Sequence, residues 1–187
     1  MKTTLRAHIY IVNIALGFVL VACHSAPSVV RKAHAGAVTT DVNGDGHVDL
    51  WQWYDAPATP GADRSLIREE KDLNADGKVD LKKAFLQGQI HQVWMDLDFD
   101  GQFDREETHD AGQLRQVQII QGFAQKPNLW KFYENGRLVR TERDTNNDGN
   151  PDLWIYQSDG LTLRTGKDFN FDGIVDQWIE SYNKNIK

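Results

Sequence analysis

Five short stretches of the chain crowd oxygen-bearing side chains onto alternate residues. They are "DVNGDGHVD" from Asp41, "DLNADGKVD" from Asp72, "DLDFDGQFD" from Asp96, "DTNNDGNPD" from Asp144 and "DFNFDGIVD" from Asp168. In every copy positions 1, 3, 5 and 9 are Asp or Asn and position 6 is Gly. Alternate spacing in a tight loop turns such side chains inward, glycine permits the sharp bend, and position 7 adds a backbone carbonyl. Hard oxygen donors in this number suit Ca²⁺, which takes six to eight at about 2.3–2.6 Å in irregular geometry. Mg²⁺ demands a stricter octahedron and keeps more water. Zn²⁺ would call for His or Cys. Asp, Asn and Gly also make good metal-free turns, but a turn needs no acid at position 9. Without a cation the carboxylates would repel one another.

The loops are spaced as a repeat, and repeats precede every other question of fold. Their starts lie 31, 24, 48 and 24 residues apart. The 48 is twice 24, and a sixth copy that has lost its acids does begin at Ile120, "IQGFAQKPNLWKFYENG". The Pro-rich insertion "APATPGA" accounts for the long first interval. Gly88, Gly112, Gly136 and Gly160 share one place in their units, in "LQGQ", "DAGQ", "ENGR" and "SDGL". Asn-Gly and Asp-Gly between alternating segments are strong hairpin signals.

Each unit therefore reads as acidic loop, strand, tight turn, strand. "LWQW" and "LWIY" are rich in residues suited to a pleated surface, and "GRLVRTER" and "LTLRTGK" supply return strands. Short connections throughout predict an all-β fold, tandem β-hairpin repeats of about 24 residues chained into an antiparallel meander. The second unit, "LKKAFLQGQIHQVWM", also fits a helix with Leu81, Phe85 and Ile90 near one face, although Gly88 in its middle argues against that. The third, "REETHDAGQLRQVQ", is polar and equally ambiguous.

The loops resemble calcium loops of the Asp-x-Asp/Asn-x-Asp/Asn-Gly-x-x-Asp type, found in EF-hands, dockerin modules and the hairpin loops of integrin-like propellers. The resemblance implies about five Ca²⁺ ions. It implies as ligands Asp41, Asn43, Asp45 and Asp49; Asp72, Asn74, Asp76 and Asp80; and Asp96, Asp98, Asp100 and Asp104. The remaining sets are Asp144, Asn146, Asp148 and Asp152, and Asp168, Asn170, Asp172 and Asp176. EF-hands also need a bidentate Glu at position 12. Gln52, Lys83, Ile155 and Ile179 stand there, and only Glu107 fits. The strand-like segments favour the hairpin version over the alternative, helical EF-hand-like or dockerin-like repeats. Units such as "WKFYENGRL" also loosely resemble MORN-like hairpins. Extracellular modules of this kind bind Ca²⁺ at about 10⁻⁴–10⁻³ M.

Trp51, Trp130, Trp154 and Trp178 occupy one place in their units, with Trp53, Phe132 and Tyr156 two residues on and on the same face. The expected role is a core stripe stacked from unit to unit. The alternative is an exposed ladder for sugars. Lys82 and Glu106 interrupt either one. No Ser or Cys nucleophile motif, phosphate-cradling Gly loop or His pair at metal spacing occurs. The calcium loops claim the paired carboxylates, so no enzyme is expected.

The N-terminus reads as an export signal: Lys2 and Arg6, then an apolar run from Ile9 to Ala22 that is short for a membrane span of about 20 residues. It ends in "LVAC", which resembles the lipobox of bacterial lipoproteins. That resemblance implies cleavage before Cys23, lipid on its sulfur and an acylated N-terminus, hence a membrane anchor. His24 in place of Asp implies the outer membrane, if the cell is Gram-negative. Cys23 is the sole cysteine, so neither a disulfide framework nor a thiolate metal site is available. The expected division is signal 1–22, lipidated Cys23 and a flexible tether to residue 40, then a six-unit repeat domain over 41–187. Without Lys2 and Arg6, 19 Lys and Arg face 27 Asp and Glu. This acidic balance excludes nucleic acid as the natural partner and favours a small cation. A protein or glycan of the envelope remains as a further partner.

Overall fold

The structure is a computed structural model that describes residues 34–181 except 58, 60 and 123. The signal segment, Cys23 and residues 24–33 lie outside the described residues.

Among the described residues twelve strands follow one another in the sheet in chain order. They are β1 (Val38–Thr40), β2 (Leu50–Tyr54), β3 (Leu66–Lys71), β4 (Leu81–Leu86), β5 (Gln89–Met95) and β6 (Arg105–Asp110). Then come β7 (Gln113–Ile119), β8 (Leu129–Glu134), β9 (Arg137–Arg143), β10 (Leu153–Ser158), β11 (Leu161–Lys167) and β12 (Gln177–Glu180). Each pairs antiparallel with its chain neighbours. The fold is the expected all-β meander. No helix occurs among the described residues, which removes the helical EF-hand-like alternative. The ambiguous second and third units are strands as well: the turns at Gly88 and Gly112 break any helical stripe into two pleated runs. Val38–Thr40, in the stretch expected as tether, join the sheet as β1 by pairing with β2.

Two chemistries turn the chain at the two margins. At one margin sit two-residue hairpin turns: Gln87-Gly88, Ala111-Gly112, Asn135-Gly136 and Asp159-Gly160, with φ positive at both residues of each. Such mirror-image turns match the right-handed twist of the strands they join. Each return strand then carries a bulge at the same repeat position, leaving His91, Arg115, Val139 and Leu163 unpaired. Ile67 of β3 takes the same part after the Pro-rich insertion. At the opposite margin lie all five acidic loops and the degenerate sixth.

Strand alternation gives the sheet two unlike faces. All six tryptophans share one face: Trp51, Trp53, Trp94, Trp130, Trp154 and Trp178. The expected unit-to-unit stack is corrected here. A meander inserts a return strand between equivalent strands, which puts equivalent rings about 9.6 Å apart. The intervening residue is often charged: Glu142 stands between Trp130 and Trp154, and Arg140 between Phe132 and Tyr156. Cations cap the rings, with Arg68 4.3 Å from the Trp53 centroid, Lys82 4.6 Å from Trp94 and Arg140 4.1 Å from Phe132. Arg164 spans Tyr156 and Trp178 at 4.6 and 4.4 Å. Contacts of this kind contribute about 0.5–1 kcal/mol each at exposed sites. Burial pushes the Glu142 carboxyl above its ordinary value, and Arg140 offsets this only in part.

The other face is aliphatic and basic. Val93, Val117 and Leu129 are its buried apolar residues, with Val117 fully buried between Glu107 and Lys131. No second layer covers either face among the described residues. Lateral pairs and long side-chain stems hold this sheet in place of a deep core.

Candidate metal sites

Each loop is wound around two aspartates. In the second loop, Asp72 at position 1 accepts the Ala75 and Gly77 N–H groups, both at 2.7 Å. Asp80 at position 9 accepts those of Leu73 and Asn74 through Oδ2, at 2.6 and 3.2 Å. Asn74 Oδ1 accepts the Asp76 N–H, and Asp76 Oδ1 that of Lys78. The pattern recurs around Asp41 and Asp49, Asp96 and Asp104, Asp144 and Asp152, and Asp168 and Asp176. These donors hold the Asp41 and Asp76 carboxyls below the ordinary carboxylate value, chiefly through the Gly46 and Lys78 N–H groups respectively. The Asp148 carboxyl is lowered chiefly by the Asn146 side chain.

The sheet positions the loops by the same aspartates. The Asp80 N–H closes its loop onto the Lys71 carbonyl, and its own carbonyl accepts the Asp96 N–H, both at 2.8 Å. Position 9 of one loop is thus tied to position 1 of the next. Successive loops stand two strands apart, about 9.6 Å.

Positions 1 and 9 are where the side chains are withdrawn from water. Asp49, Asp72, Asp80, Asp96, Asp144, Asp152 and Asp168 are all buried, while Asp41 and Asp176 of the end loops are exposed and Asp104 is half-buried. Among the described residues none of these carboxylates is within ion-pair distance of Lys, Arg or His. Asp80 is 1% exposed and its Oδ1 has no hydrogen-bond partner. In the third loop Asp96, Asp98 and Asp104 each bring a carboxylate oxygen within 4.8 Å of the others. It is the copy with Asp instead of Asn at position 3.

Position 5 stays exposed in every loop: Asp45, Asp76, Asp100, Asp148 and Asp172 each accept the N–H two residues on. The amides of Asn43, Asn146 and Asn170 donate to the position-5 carboxylates. Glu107 is not with the loop ligands. It lies on β6 opposite Val93 and Val117, its carboxylate 2.6 Å from Arg105 Nη2 and 3.6 Å from His109 Nε2. Strand alternation, not loop geometry, decides where position 12 points.

Two features had no place in the sequence reading. Position 4 adopts positive φ even where it is not glycine, at Ala75, Phe99, Asn147 and Phe171. Lys78, expected to offer only its carbonyl, extends Nζ to the Asp100 carbonyl at 3.2 Å and bridges two loops. The degenerate loop keeps the frame without the acids: Asn128 accepts the Gln121 N–H and donates to Asn147.

The donor set is one of hard oxygens, and the withdrawn, unpaired carboxylates fit a divalent cation in chemistry. No protein-family model matches the chain, and no curated protein matches it. Among solved structures, a mutant of S. aureus TarM in complex with Fondaparinux, alpha-GlcNAc-glycerol and UDP is similar over 72% of this chain. The identity is 10% and the TM-score 0.30, and the match spans 22% of that protein. So slight a likeness carries no argument.

Proposed function

We propose that this chain is a calcium-binding, lipid-anchored protein of the bacterial cell envelope. It is exported, held through Cys23 at the outer membrane, and serves as a structural or binding module without catalytic activity. About five Ca²⁺ ions occupy the acidic loops and lock successive hairpins together. The observation that carries the reading is the burial of seven aspartates with no basic partner. Buried charges are paired or coordinate metals, and two backbone N–H donors per carboxylate answer only part of that demand. A cation bound by the folded loops alone stabilises the fold by linkage.

The test is a thermal melt of the chain carrying Cys23→Ser, in EDTA, in millimolar Ca²⁺ and in millimolar Mg²⁺. The reading expects a large rise in midpoint that is specific to Ca²⁺. An unchanged midpoint would reduce the loops to turns.

A further inference from the structure

Cation loops do not account for the large apolar side chains that stand exposed among their carboxylates. Val42, Leu73, Leu97 and Phe169 at position 2 are 55–66% exposed. Phe99 and Phe171 at position 4 are exposed too, on backbone with φ of 64° and 61°. An L-residue with a bulky side chain is unfavourable there, and glycine does the same work in the first loop, at Gly44. Exposed apolar groups that cluster along one margin, rimmed by polar residues, are the pattern of an interaction surface.

The same repeat positions enclose a hollow at each end of the sheet. One, of about 400 Å³, has Val42, Leu50 and Leu73 beside Lys71 and the Asp49–Asp72 pair. The other, of about 270 Å³, has Leu153, Phe169 and Phe171 beside Lys167 and the Asp152–Asp168 pair. Each offers apolar walls, one lysine and carboxylates from two proposed cation loops.

We propose that the loop margin, once loaded with calcium, docks on a bilayer surface that contains anionic phospholipid. The apolar side chains at positions 2 and 4 enter the boundary between headgroups and acyl chains. Headgroup phosphates complete the coordination of the loop cations and meet Lys71 and Lys167. This rests on the calcium reading above.

Three arguments select the bilayer. Ca²⁺ takes six to eight oxygens, while each loop offers four side chains and one carbonyl, and Glu107 is held away by Arg105. Outside oxygens therefore fill the remainder. The metal-free loops carry sixteen aspartates against Lys78, so they repel an anionic surface; about five Ca²⁺ would cut that deficit from fifteen charges to about five and leave local contact at each cation to Lys71, Lys167 and phosphate. Apolar insertion together with electrostatic attraction is the general basis of interfacial binding. Finally, residues 24–33 separate His34 from the proposed anchor at Cys23, and ten residues reach at most about 35 Å. The anchor keeps the margin within reach of lipid.

The experiment uses the full chain with Cys23→Ser and one introduced cysteine carrying an environment-sensitive dye. Leu73→Cys reports the loop margin and Asp159→Cys the opposite one. Vesicles are phosphatidylcholine with and without phosphatidylglycerol, in EDTA or millimolar Ca²⁺. The expected result is a severalfold, blue-shifted rise at Leu73→Cys with phosphatidylglycerol and Ca²⁺ together, and none at Asp159→Cys. A silent dye on a chain that Ca²⁺ does stabilise overturns the docking and leaves the calcium reading intact. Absence of that stabilisation overturns both. An equal rise without phosphatidylglycerol overturns headgroup recognition. Adding Phe169→Ser and Phe171→Ser should cut the response severalfold while sparing the Ca²⁺-dependent melt. A full response in that variant overturns insertion.

Discussion

At the scale of single residues, the loops rest on carboxylates whose two oxygens have separate tasks. Asp80 Oδ2 receives two backbone donors while Oδ1 is buried and free. Asp80→Asn keeps an acceptor for those donors and removes the charge. By removing an uncompensated buried charge it should raise the melt in EDTA, and it should shrink the Ca²⁺-dependent rise. Asp80→Ala removes the acceptor as well and should cost about 1–3 kcal/mol even in EDTA, read from urea unfolding. Alongside the lowered loop carboxyls of Asp41, Asp76 and Asp148, Glu69 contributes to the pH dependence on the strand face. Burial would raise its carboxyl, but the Gln52 amide and then Lys71 and Lys83 outweigh burial and hold it below 4.5. A folded value below the unfolded one contributes stability above 4.5 that is lost as pH falls through the folded value. Glu69→Gln should therefore flatten the acid limb of urea midpoint against pH. An acid limb as steep as the parent's would contradict that assignment. These roles were half legible. Five copies of one nine-residue pattern identify the acids, because the hydrogen bonds that shape a loop are local. The destination of Glu107 was not, since it depends on which face of β6 it occupies.

At the scale of elements, hairpin turns and lateral pairs do what a core does elsewhere. Ala111 sits at φ 48° where Asn135 sits at 49° in the equivalent turn. Asparagine tolerates that region better, so Ala111→Asn should stabilise by up to about 1 kcal/mol. Among the described residues Val117 is the one fully buried aliphatic side chain, and Val117→Ala should cost about 1.5–3 kcal/mol, read as a lower urea midpoint with an unchanged slope. Gly166 faces Trp178 so closely that an added Cβ would lie 2.9 Å from its ring. Turn glycines at a 24-residue period announced the hairpins in advance. The aromatic stripe misled, because like residues in successive units are separated by a return strand whose register cannot be read from spacing alone.

At the scale of the whole molecule, every strand among the described residues touches only its chain neighbours. Stability in such a fold approximates a sum of unit and interface terms. Hydrogen exchange should accordingly be slowest across β5 to β8, where Val93, Val117 and Leu129 are buried. It should quicken toward β1 and β12, whose residues are all exposed. Uniform protection would contradict a one-dimensional fold. The sequence by itself determined the repeat, the loop chemistry, the turns and the all-β class, because each acts within about ten residues of chain. Only the tertiary structure decided what faces what. It brought five acidic loops onto one margin, all six tryptophans onto one face, with Arg or Lys over Trp53, Trp94 and Trp178, and apolar loop tips beside Lys71 and Lys167. Those placements follow from strand register and the pleat, and a shift of one residue in either would turn every side chain to the opposite face.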